Sequence, residues 1–283
     1  MKKQTDQIPH FIIVGAMKSG SSSLMHHLRN HKKIHTPSKE LHFFNNDNNY
    51  RKGLNWYIKK ILEKKNPEAE IFGEKTPSYS YQKNVAERIY QNCPDSKIIW
   101  IFRNPVERTY SNYLHSFKQG KDLLCFEDAI KMEEKRIKSN IWYGYKTRSI
   151  YHLQVERFLK FFPKEQMFFL LFDDLIKLYS SDHVLNELFG FLGISEEEFT
   201  FVKEFRNKTI LPRFPSLLFY SRKWGLYNFT IFRRLLKIIN FYHKKPGYTK
   251  MSLEIREELK NFFKPHNQKL GLLINKNLDK WNK

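Results

Sequence analysis

The sequence predicts an α/β fold, a P-loop-like three-layer arrangement in which helices flank a central parallel sheet. Short apolar runs typical of buried strands alternate along the chain with amphipathic stretches typical of helices. Hydrophobic residues make up 41% and aromatic residues 16% of the 283 residues, which is enough for a sizeable core. We therefore expect a single domain over 1–283, with a basic aromatic helical insertion at about 206–250.

Each element follows from apolar periodicity and from the residues that begin or end it. Short apolar runs that stop at polar turns predict strands at 11–14, 71–73, Lys97–Phe102 and 166–172. Apolar residues at helical spacing predict helices at 22–30, 54–65, 84–92, 105–118, 126–138, 149–162, 185–192 and 253–263. The helix from 105 has the clearest start, because Asn104 can cap it while Pro105 and Glu107 take its first and third positions.

The most informative stretch is the turn between the first strand and the first helix. Lys18 and Gly20 stand there among four serines, directly before an amphipathic run. The serines are Ser19, Ser21, Ser22 and Ser23. Backbone N–H groups at a helix N-terminus, with a lysine and hydroxyls beside them, are typical of a phosphate site. We therefore expect these six residues to bind a nucleotide phosphate.

This turn differs from the phosphate loop of kinases and nucleoside triphosphatases. That loop carries its lysine after the second glycine and works with a metal-binding aspartate from a later strand. Here Lys18 precedes Gly20, and the clearest later strand ends in Arg103, so protein cations are expected in place of a metal. A 3′-phosphoadenosine carries two separate phosphates, and Arg103 with Ser111 would hold its 3′ group. A kinase that needs ATP and Mg²⁺ is the alternative enzyme.

Both motifs resemble those of the PAPS-dependent sulfotransferase family. The run from Lys18 to Leu24 is similar to the family's 5′-phosphosulfate loop. The run from Ile99 to Ser111 is similar to its 3′-phosphate motif, with Arg103 and Ser111 at the matching places. Further segments resemble the heparan-type carbohydrate sulfotransferases and, at the end of the chain, bacterial members of that group: 39–44, 74–77, 153–163 and 262–281.

The resemblance implies transfer of a sulfuryl group from PAPS to an acceptor hydroxyl or amine, without a metal. Lys18 would neutralise the leaving phosphate, and Glu40 would be the general base that takes the acceptor proton. His42 is the alternative base, or else it orients the substrate. We expect the Glu40 and His42 side chains to point to opposite sides if their segment is extended. Lys75 would reach the acceptor and the sulfuryl group, or else pair with Glu74 or Glu40.

The identity of the acceptor stays open. Heparan-type enzymes often carry an arginine where Ser22 stands and an aspartate where Asn45 stands. The resemblance links both of those residues to binding a charged glycan or supporting the base. Without them, the candidate acceptors are a carbohydrate, a glycolipid and a small secondary metabolite.

The chain is strongly basic, with 50 Lys and Arg against 29 Asp and Glu and a formal charge of +21. This charge favours an anionic partner such as a nucleotide, an acidic sugar polymer or a membrane surface, or else is a solvated lysine-rich surface. The sequence has no nucleic-acid-binding motif, so nucleic acid is not an expected partner. A non-catalytic polyanion-binding protein is the alternative from another class, and it would bind with steep salt dependence and no turnover.

The segment 206–250 concentrates this charge, because it holds eleven Lys and Arg and no Asp or Glu. Its centre at 224–242 has the pattern of a basic amphipathic helix. Such a helix packs on its own domain, lies on a membrane surface or contacts an anionic substrate. The resemblance implies that Lys244 and Lys245 belong to a loop that closes over the nucleotide.

Three features bear on the expected location of the protein. Cys93 and Cys125 lack the spacing of a metal site, which favours a reducing compartment without structural zinc. No apolar leader precedes the first strand, and no run of about 18 apolar residues occurs. We therefore expect a cytoplasmic protein, which would be membrane-peripheral if 206–250 contacts lipid.

Overall fold

The computed structural model describes residues 9–177, 183–194, 212–241 and 251–283. Its strands are β1 Phe11–Gly15, β2 Ile34–His35, β3 Ile71–Lys75, β4 Lys97–Phe102 and β5 Met167–Leu171. Its helices are α1 Ser21–Arg29, α2 Asp47–Tyr50, α3 Leu54–Leu62, α4 Val85–Asn92, α5 Pro105–Lys118, α6 Phe126–Lys131, α7 Glu133–Ile137, α8 Tyr151–Leu159, α9 Phe172–Lys177, α10 His183–Leu192, α11 Pro215–Lys223, α12 Thr230–Phe241 and α13 Leu253–Ile274.

The chain divides into two compact units. The sheet unit contains Met1–Arg103, Tyr151–Arg206 and Leu270–Lys276. The helical unit contains Asn104–Ile150, Asn207–Lys269 and Asn277–Lys283. The expected organisation as a single domain with an insertion stays a prediction.

Five parallel strands form the sheet, in the order β2-β3-β1-β4-β5. β1 lies at the centre, where Phe11 is in register with Gly73 of β3 on one side and with Lys97 of β4 on the other. Because parallel strands end at the same edge of a sheet, the turns after β1, β3 and β4 lie on that edge. The predicted α/β fold with a central parallel sheet is confirmed.

Helices cover both faces of the sheet. On one face Ile99 and Ile101 of β4 belong to an apolar core that includes Leu24 of α1 and residues of α10. On the other face the Trp100 ring meets Phe158 of α8 edge-on, with 4.9 Å between ring centres. Strands buried on both faces appear in sequence as continuous apolar runs. This is why the bounds of β4 were predicted correctly.

The helical unit has an apolar core of its own. α5, α6 and α13 contribute to it, with Phe126 and Leu259 among the buried residues. Arg108 of α5 is buried and donates to the Ser149 hydroxyl at 3.0 Å and to the Tyr145 carbonyl at 3.1 Å. These hydrogen bonds satisfy a buried guanidinium group and tie α5 to the segment before α8.

Most predicted elements are present, and the main differences concern two helices and one strand. The predicted helix at 126–138 is two helices, α6 and α7, which break at Met132. The predicted helix at 253–263 continues through Pro265 and ends at Ile274. β2 was not predicted, because a two-residue strand is too short to show an apolar pattern.

The start of α5 follows its prediction in part. The Asn104 side chain accepts from the Val106 N–H at 3.0 Å, and Pro105 takes the first helical position. Glu107 does not complete the cap but forms an ion pair with Arg256 of α13. Glu107 therefore links α5 to α13 within the helical unit.

The predicted insertion at 206–250 is described only over 212–241, where the chain forms α11 and α12. Lys244 and Lys245 lie outside the described residues. No helix in the described part of the chain is both long enough and apolar enough to cross a bilayer.

Candidate active site

The turn after β1 has the geometry of an anion-binding loop. Lys18 has a φ of 72° and Gly20 a φ of 95°, so both adopt the left-handed conformation. A Cβ on Gly20 would lie 2.9 Å from Phe172 Cδ2, so the backbone and the close approach both require glycine. Gly20 provides no side-chain cap for α1, which leaves the first N–H groups of that helix available to an anion.

Arg103 reaches the same turn from the end of β4. Its NH1 group donates to the Lys18 carbonyl at 3.4 Å, and its guanidinium carbon lies 4.9 Å from the centre of the Phe172 ring. The Tyr151 hydroxyl donates to the Arg103 carbonyl at 3.0 Å. The sheet unit therefore brings Lys18 and Arg103 together, as expected for residues that follow adjacent parallel strands.

Ser111, the predicted partner of Arg103, lies on α5 in the helical unit, where it is partly buried. The expectation that Ser111 and Arg103 bind one phosphate stays a prediction.

Lys75 at the end of β3 is the centre of the candidate site. Its ammonium group donates to Glu40 Oε1 at 2.8 Å and to the Ser22 hydroxyl at 3.1 Å. The Lys75 side chain is only 14% exposed, whereas that of Glu40 is 36% exposed. One cation therefore connects the first turn of α1 with an accessible carboxylate. The alternative role of Lys75, pairing with Glu40, is present, and its contact with the acceptor stays a prediction.

The expectation that Glu40 and His42 point to opposite sides is wrong, because side chains two residues apart share one face even where a segment is extended. Glu40 Oε2 lies 3.5 Å from His42 Nε2. His42 has a φ of 49°, so the chain turns at this residue instead of extending. The Asn49 amide nitrogen holds the turn by donating to the Leu41 carbonyl at 3.2 Å. Both candidate bases therefore face the same space.

A buried hydrogen-bond network lies beneath this site. Glu74 is 1% exposed, and its Oε1 accepts from the Tyr57 and Tyr79 hydroxyls, each at 2.8 Å. Its Oε2 accepts from the Thr76 hydroxyl at 2.8 Å. The Tyr79 oxygen in turn accepts from the Phe43 N–H at 2.9 Å. Glu74 thereby anchors the backbone that directly follows Glu40 and His42.

Burial sets the protonation behaviour of this network. Desolvation raises the pKa of Glu74, and its three hydroxyl donors oppose that rise. Desolvation and the neighbouring Glu74 carboxyl raise the pKa of both Tyr57 and Tyr79 well above the ordinary tyrosine value. The two phenols therefore stay protonated and remain hydrogen-bond donors.

The role of Glu74, Tyr57 and Tyr79 is not apparent from the sequence. The available signal was a glutamate at the end of a short apolar strand run, since a buried carboxylate needs hydrogen-bond donors from elsewhere in the chain. Among the described residues, no group of three or more His, Cys, Asp or Glu side chains is placed to bind a metal ion.

Residues 8–208 match the family model of the sulfotransferase domain. The chain is 35% identical over 173 residues to heparan sulfate glucosamine 3-O-sulfotransferase 5 of Mus musculus, across 60% of this chain and 49% of that protein. It is 32% identical over 202 residues to heparan sulfate glucosamine 3-O-sulfotransferase 3B1 of Homo sapiens, across 70% of this chain and 50% of that protein. The chain therefore spans about half the length of these curated relatives.

A solved structure is similar over nearly the whole chain. The sulfotransferase from Alicyclobacillus acidocaldarius superposes with a TM-score of 0.70 at 25% sequence identity. The match covers 97% of this chain and 99% of that one. The similarity to this structure therefore extends well beyond the residues that match the family model.

Proposed function

The chain belongs to the sulfotransferase domain family, and from that membership we propose that it transfers a sulfuryl group from PAPS to a carbohydrate hydroxyl. The observation that carries the proposal is the Lys75 ammonium group, which bonds both to Glu40 and to Ser22 of the anion-binding loop. A general base is thereby tied to the place where a phosphate would bind. Transfer of a sulfuryl group requires that the general base and the bound donor lie side by side.

The loop after β1 has features that suit the 5′-phosphosulfate of PAPS. The Ser19 hydroxyl is buried and has no hydrogen-bond partner within the described part of the chain. Such an orphaned polar group next to an uncapped helix start is well placed for an anionic ligand. Lys18, the backbone N–H groups of 20–22 and Arg103 would hold the donor, because the N–H groups of Ser19 and Ser23 already donate to the carbonyls of Ala16 and Gly20. When bound, PAPS supplies a sulfuryl group attached to a phosphate that leaves.

The chain's own residues divide the remaining work. Glu40 takes the proton of the acceptor hydroxyl while the new oxygen–sulfur bond forms and the sulfur–phosphate oxygen bond breaks. Lys75 holds Glu40 Oε1 at 2.8 Å, which leaves Oε2 to face His42 and the acceptor. Lys18 neutralises the charge that develops on the leaving phosphate. His42, whose Nε2 lies 3.5 Å from Glu40 Oε2, orients the acceptor beside the base.

A carbohydrate acceptor is supported by the names of the curated relatives, which are heparan sulfate glucosamine sulfotransferases. Ser22 and Asn45 stand where that group often carries an arginine and an aspartate, and these two differences favour a less highly charged glycan. The Ser22 hydroxyl accepts from Lys75 at 3.1 Å, and Asn45 donates its amide hydrogen to the Ser78 hydroxyl at 2.9 Å. At both positions an uncharged side chain makes the hydrogen bond, whereas the heparan-type enzymes often carry a charged side chain there. A glycolipid therefore belongs in the acceptor panel.

Calorimetric titration with 3′,5′-ADP, 5′-AMP and ATP with Mg²⁺ tests the donor site. We expect tight binding of 3′,5′-ADP and much weaker binding of 5′-AMP. Arg103→Ala should weaken 3′,5′-ADP binding by about 2–4 kcal/mol through loss of a charge-assisted pair. Arg51→Ala is the matched control, because Arg51 is exposed and lies outside the site. Equal affinity of wild type and Arg103→Ala would contradict the assignment of the 3′-phosphate site.

Transfer of a labelled sulfuryl group to a panel of glycans, glycolipids and small alcohols tests the reaction. Glu40→Gln should lower turnover roughly 10²-fold or more and leave 3′,5′-ADP affinity intact. His42→Asn should have a smaller effect on turnover. The reverse order of effects would identify His42 as the base. Binding of ATP with Mg²⁺ alone would favour a kinase, and heparin binding without transfer would favour a polyanion-binding protein.

A further inference from the structure

An exposed apolar and basic surface covers the hairpin formed by α11 and α12. Ten of the seventeen exposed large hydrophobic side chains among the described residues lie between Phe214 and Ile239. Residues 212–241 also contain six Lys and Arg and no Asp or Glu. We call residues 213–240 the basic hairpin. Contiguous exposed apolar surface of this kind marks an interaction site.

The basic hairpin is well anchored, so its exposure is not the result of loose packing. The Asn240 side chain accepts from the Phe214 N–H at 2.8 Å, which joins the start of α11 to the end of α12. Leu218 and Leu236 are buried, and the Arg222 side chain donates to the Gln119 carbonyl at 2.6 Å. The rest of the helical unit thus fixes which sides of the two helices face outward.

The outward side of α12 separates apolar from basic residues. Ile231, Leu235 and Ile238 recur at helical spacing and are 76%, 51% and 55% exposed. At 100° per residue, Arg234 borders this apolar stripe and Lys237 follows it around the helix. A helix with one apolar face and an adjacent Lys/Arg face is typical of peptides that lie in a bilayer interface.

The charge of the hairpin decides between possible occupants of this surface. A second copy of the chain would bring the same cations against each other, which is unfavourable. A soluble polyanion would pair with Arg234 and Lys237 but would leave Ile231 and Leu235 in water. An anionic lipid surface offers both an apolar phase and negative charge within a few ångströms, which matches the two sides of α12.

We propose that the basic hairpin docks the protein on bilayers that contain anionic phospholipid. Ile231, Leu235 and Ile238 enter the boundary between headgroups and acyl chains, while Arg234 and Lys237 contact lipid phosphates. This inference does not depend on the proposed reaction, because every residue that carries it belongs to the hairpin.

Flotation with lipid vesicles tests the proposal on the full chain. Wild-type protein is incubated with vesicles of phosphatidylcholine alone or with about 30 mol% phosphatidylglycerol, at low and high salt. We expect partitioning onto the anionic vesicles that weakens as salt rises.

Two sets of substitutions separate the two contributions. Removing three cations, Arg233→Gln, Arg234→Gln and Lys237→Gln, should weaken partitioning on the order of 10²-fold. The double variant Leu235→Gln and Ile238→Gln should weaken it at least about tenfold.

Matched controls carry the same types of change elsewhere on the surface. The apolar control is Leu253→Gln with Leu272→Gln, at positions that are 79% and 84% exposed. The charge control removes three exposed lysines on other helices: Lys131, Lys264 and Lys269. Both controls should change partitioning by no more than about twofold, because they leave the basic hairpin intact.

Three results would overturn the proposal. The first is wild-type protein that does not float with anionic vesicles at low salt. The second is an equal loss in the controls and the hairpin variants, which would show that net charge alone drives binding. The third is a concentration-dependent dimer in solution that the Leu235→Gln and Ile238→Gln variant abolishes, which would show that a second copy covers the surface. Circular dichroism and urea unfolding establish that each variant is folded.

Discussion

Replacing Tyr79 with phenylalanine tests how the buried network controls the candidate base. The Tyr79 hydroxyl donates to Glu74 Oε1 at 2.8 Å and accepts from the Phe43 N–H at 2.9 Å. The Tyr57 hydroxyl donates to the same Glu74 oxygen at 2.8 Å. Tyr57→Phe is therefore a matched control that removes the shared bond to Glu74 but leaves the backbone after His42 anchored.

The structure gives different expected magnitudes for the two variants. Each loses a hydrogen bond to a buried carboxyl group, which lowers the free energy of unfolding by about 1.5–3 kcal/mol. Tyr79→Phe also leaves the buried Phe43 N–H without its acceptor, which costs about 1–3 kcal/mol more. We therefore expect a loss of about 1.5–3 kcal/mol for Tyr57→Phe and of about 2.5–6 kcal/mol for Tyr79→Phe.

Urea unfolding measures the free energies, and the sulfuryl-transfer assay measures kcat and the donor KM. Tyr79→Phe should lower kcat more than Tyr57→Phe, because Glu40 lies on the segment that Tyr79 anchors. The donor KM should change little, since the phosphate loop is on a different turn. Equal stability losses in the two variants, or equal effects on kcat, would refute the argument that Tyr79 anchors the base.

Three further predictions concern other parts of the fold. Because burial raises the pKa of Glu74 above its unfolded value of 4.5, its contribution to stability is present below about pH 4.5 and is lost as pH rises through the folded pKa. Glu74→Gln should therefore show a smaller fall in unfolding free energy between acid and neutral pH than wild type, and an unchanged pH profile would contradict this. Gly20→Ala should destabilise the protein by about 1–2 kcal/mol from the left-handed backbone alone and should weaken 3′,5′-ADP binding, as measured by urea unfolding and calorimetry. Asp122→Asn should lower the free energy of unfolding, measured in urea, by about 3–5 kcal/mol, because Asp122 is buried and bonds to Arg136 at 2.8 Å. A loss below about 1 kcal/mol would contradict a structural role for the pair.

Much of the secondary structure could be predicted because its signals are local. β4 and the start of α5 depend on contiguous residues, an apolar run followed by Asn104 and Pro105. The loop after β1 was predicted in the same way from Lys18 and Gly20. The break at Met132 could not be predicted, because the helical apolar pattern continues across it.

The resemblance indicated which residues to expect in the candidate site, and only the structure gave their geometry. The resemblance pointed to Glu40, His42 and Lys75, yet the 3.5 Å separation of Glu40 Oε2 from His42 Nε2 is given only by the structure. A positive φ is uncommon for any residue other than glycine, so the φ of 49° at His42 could not be predicted from the local sequence. The sequence suggested Glu74 only as an ion-pair partner of Lys75. Its tyrosine hydrogen-bond donors lie outside β3 and so are not visible in the local sequence.

By itself the sequence determined the order of most strands and helices, the turn between β1 and α1 and the concentration of positive charge at 206–250. These depend on neighbouring residues, whose spacing and capping act before any distant contact forms. Only the tertiary structure decided that Lys75 bonds to Glu40, 35 residues away along the chain, and that Tyr57 and Tyr79 converge on Glu74. Such contacts exist only once β1, β3 and β4 are in register and their ends share one edge of the sheet.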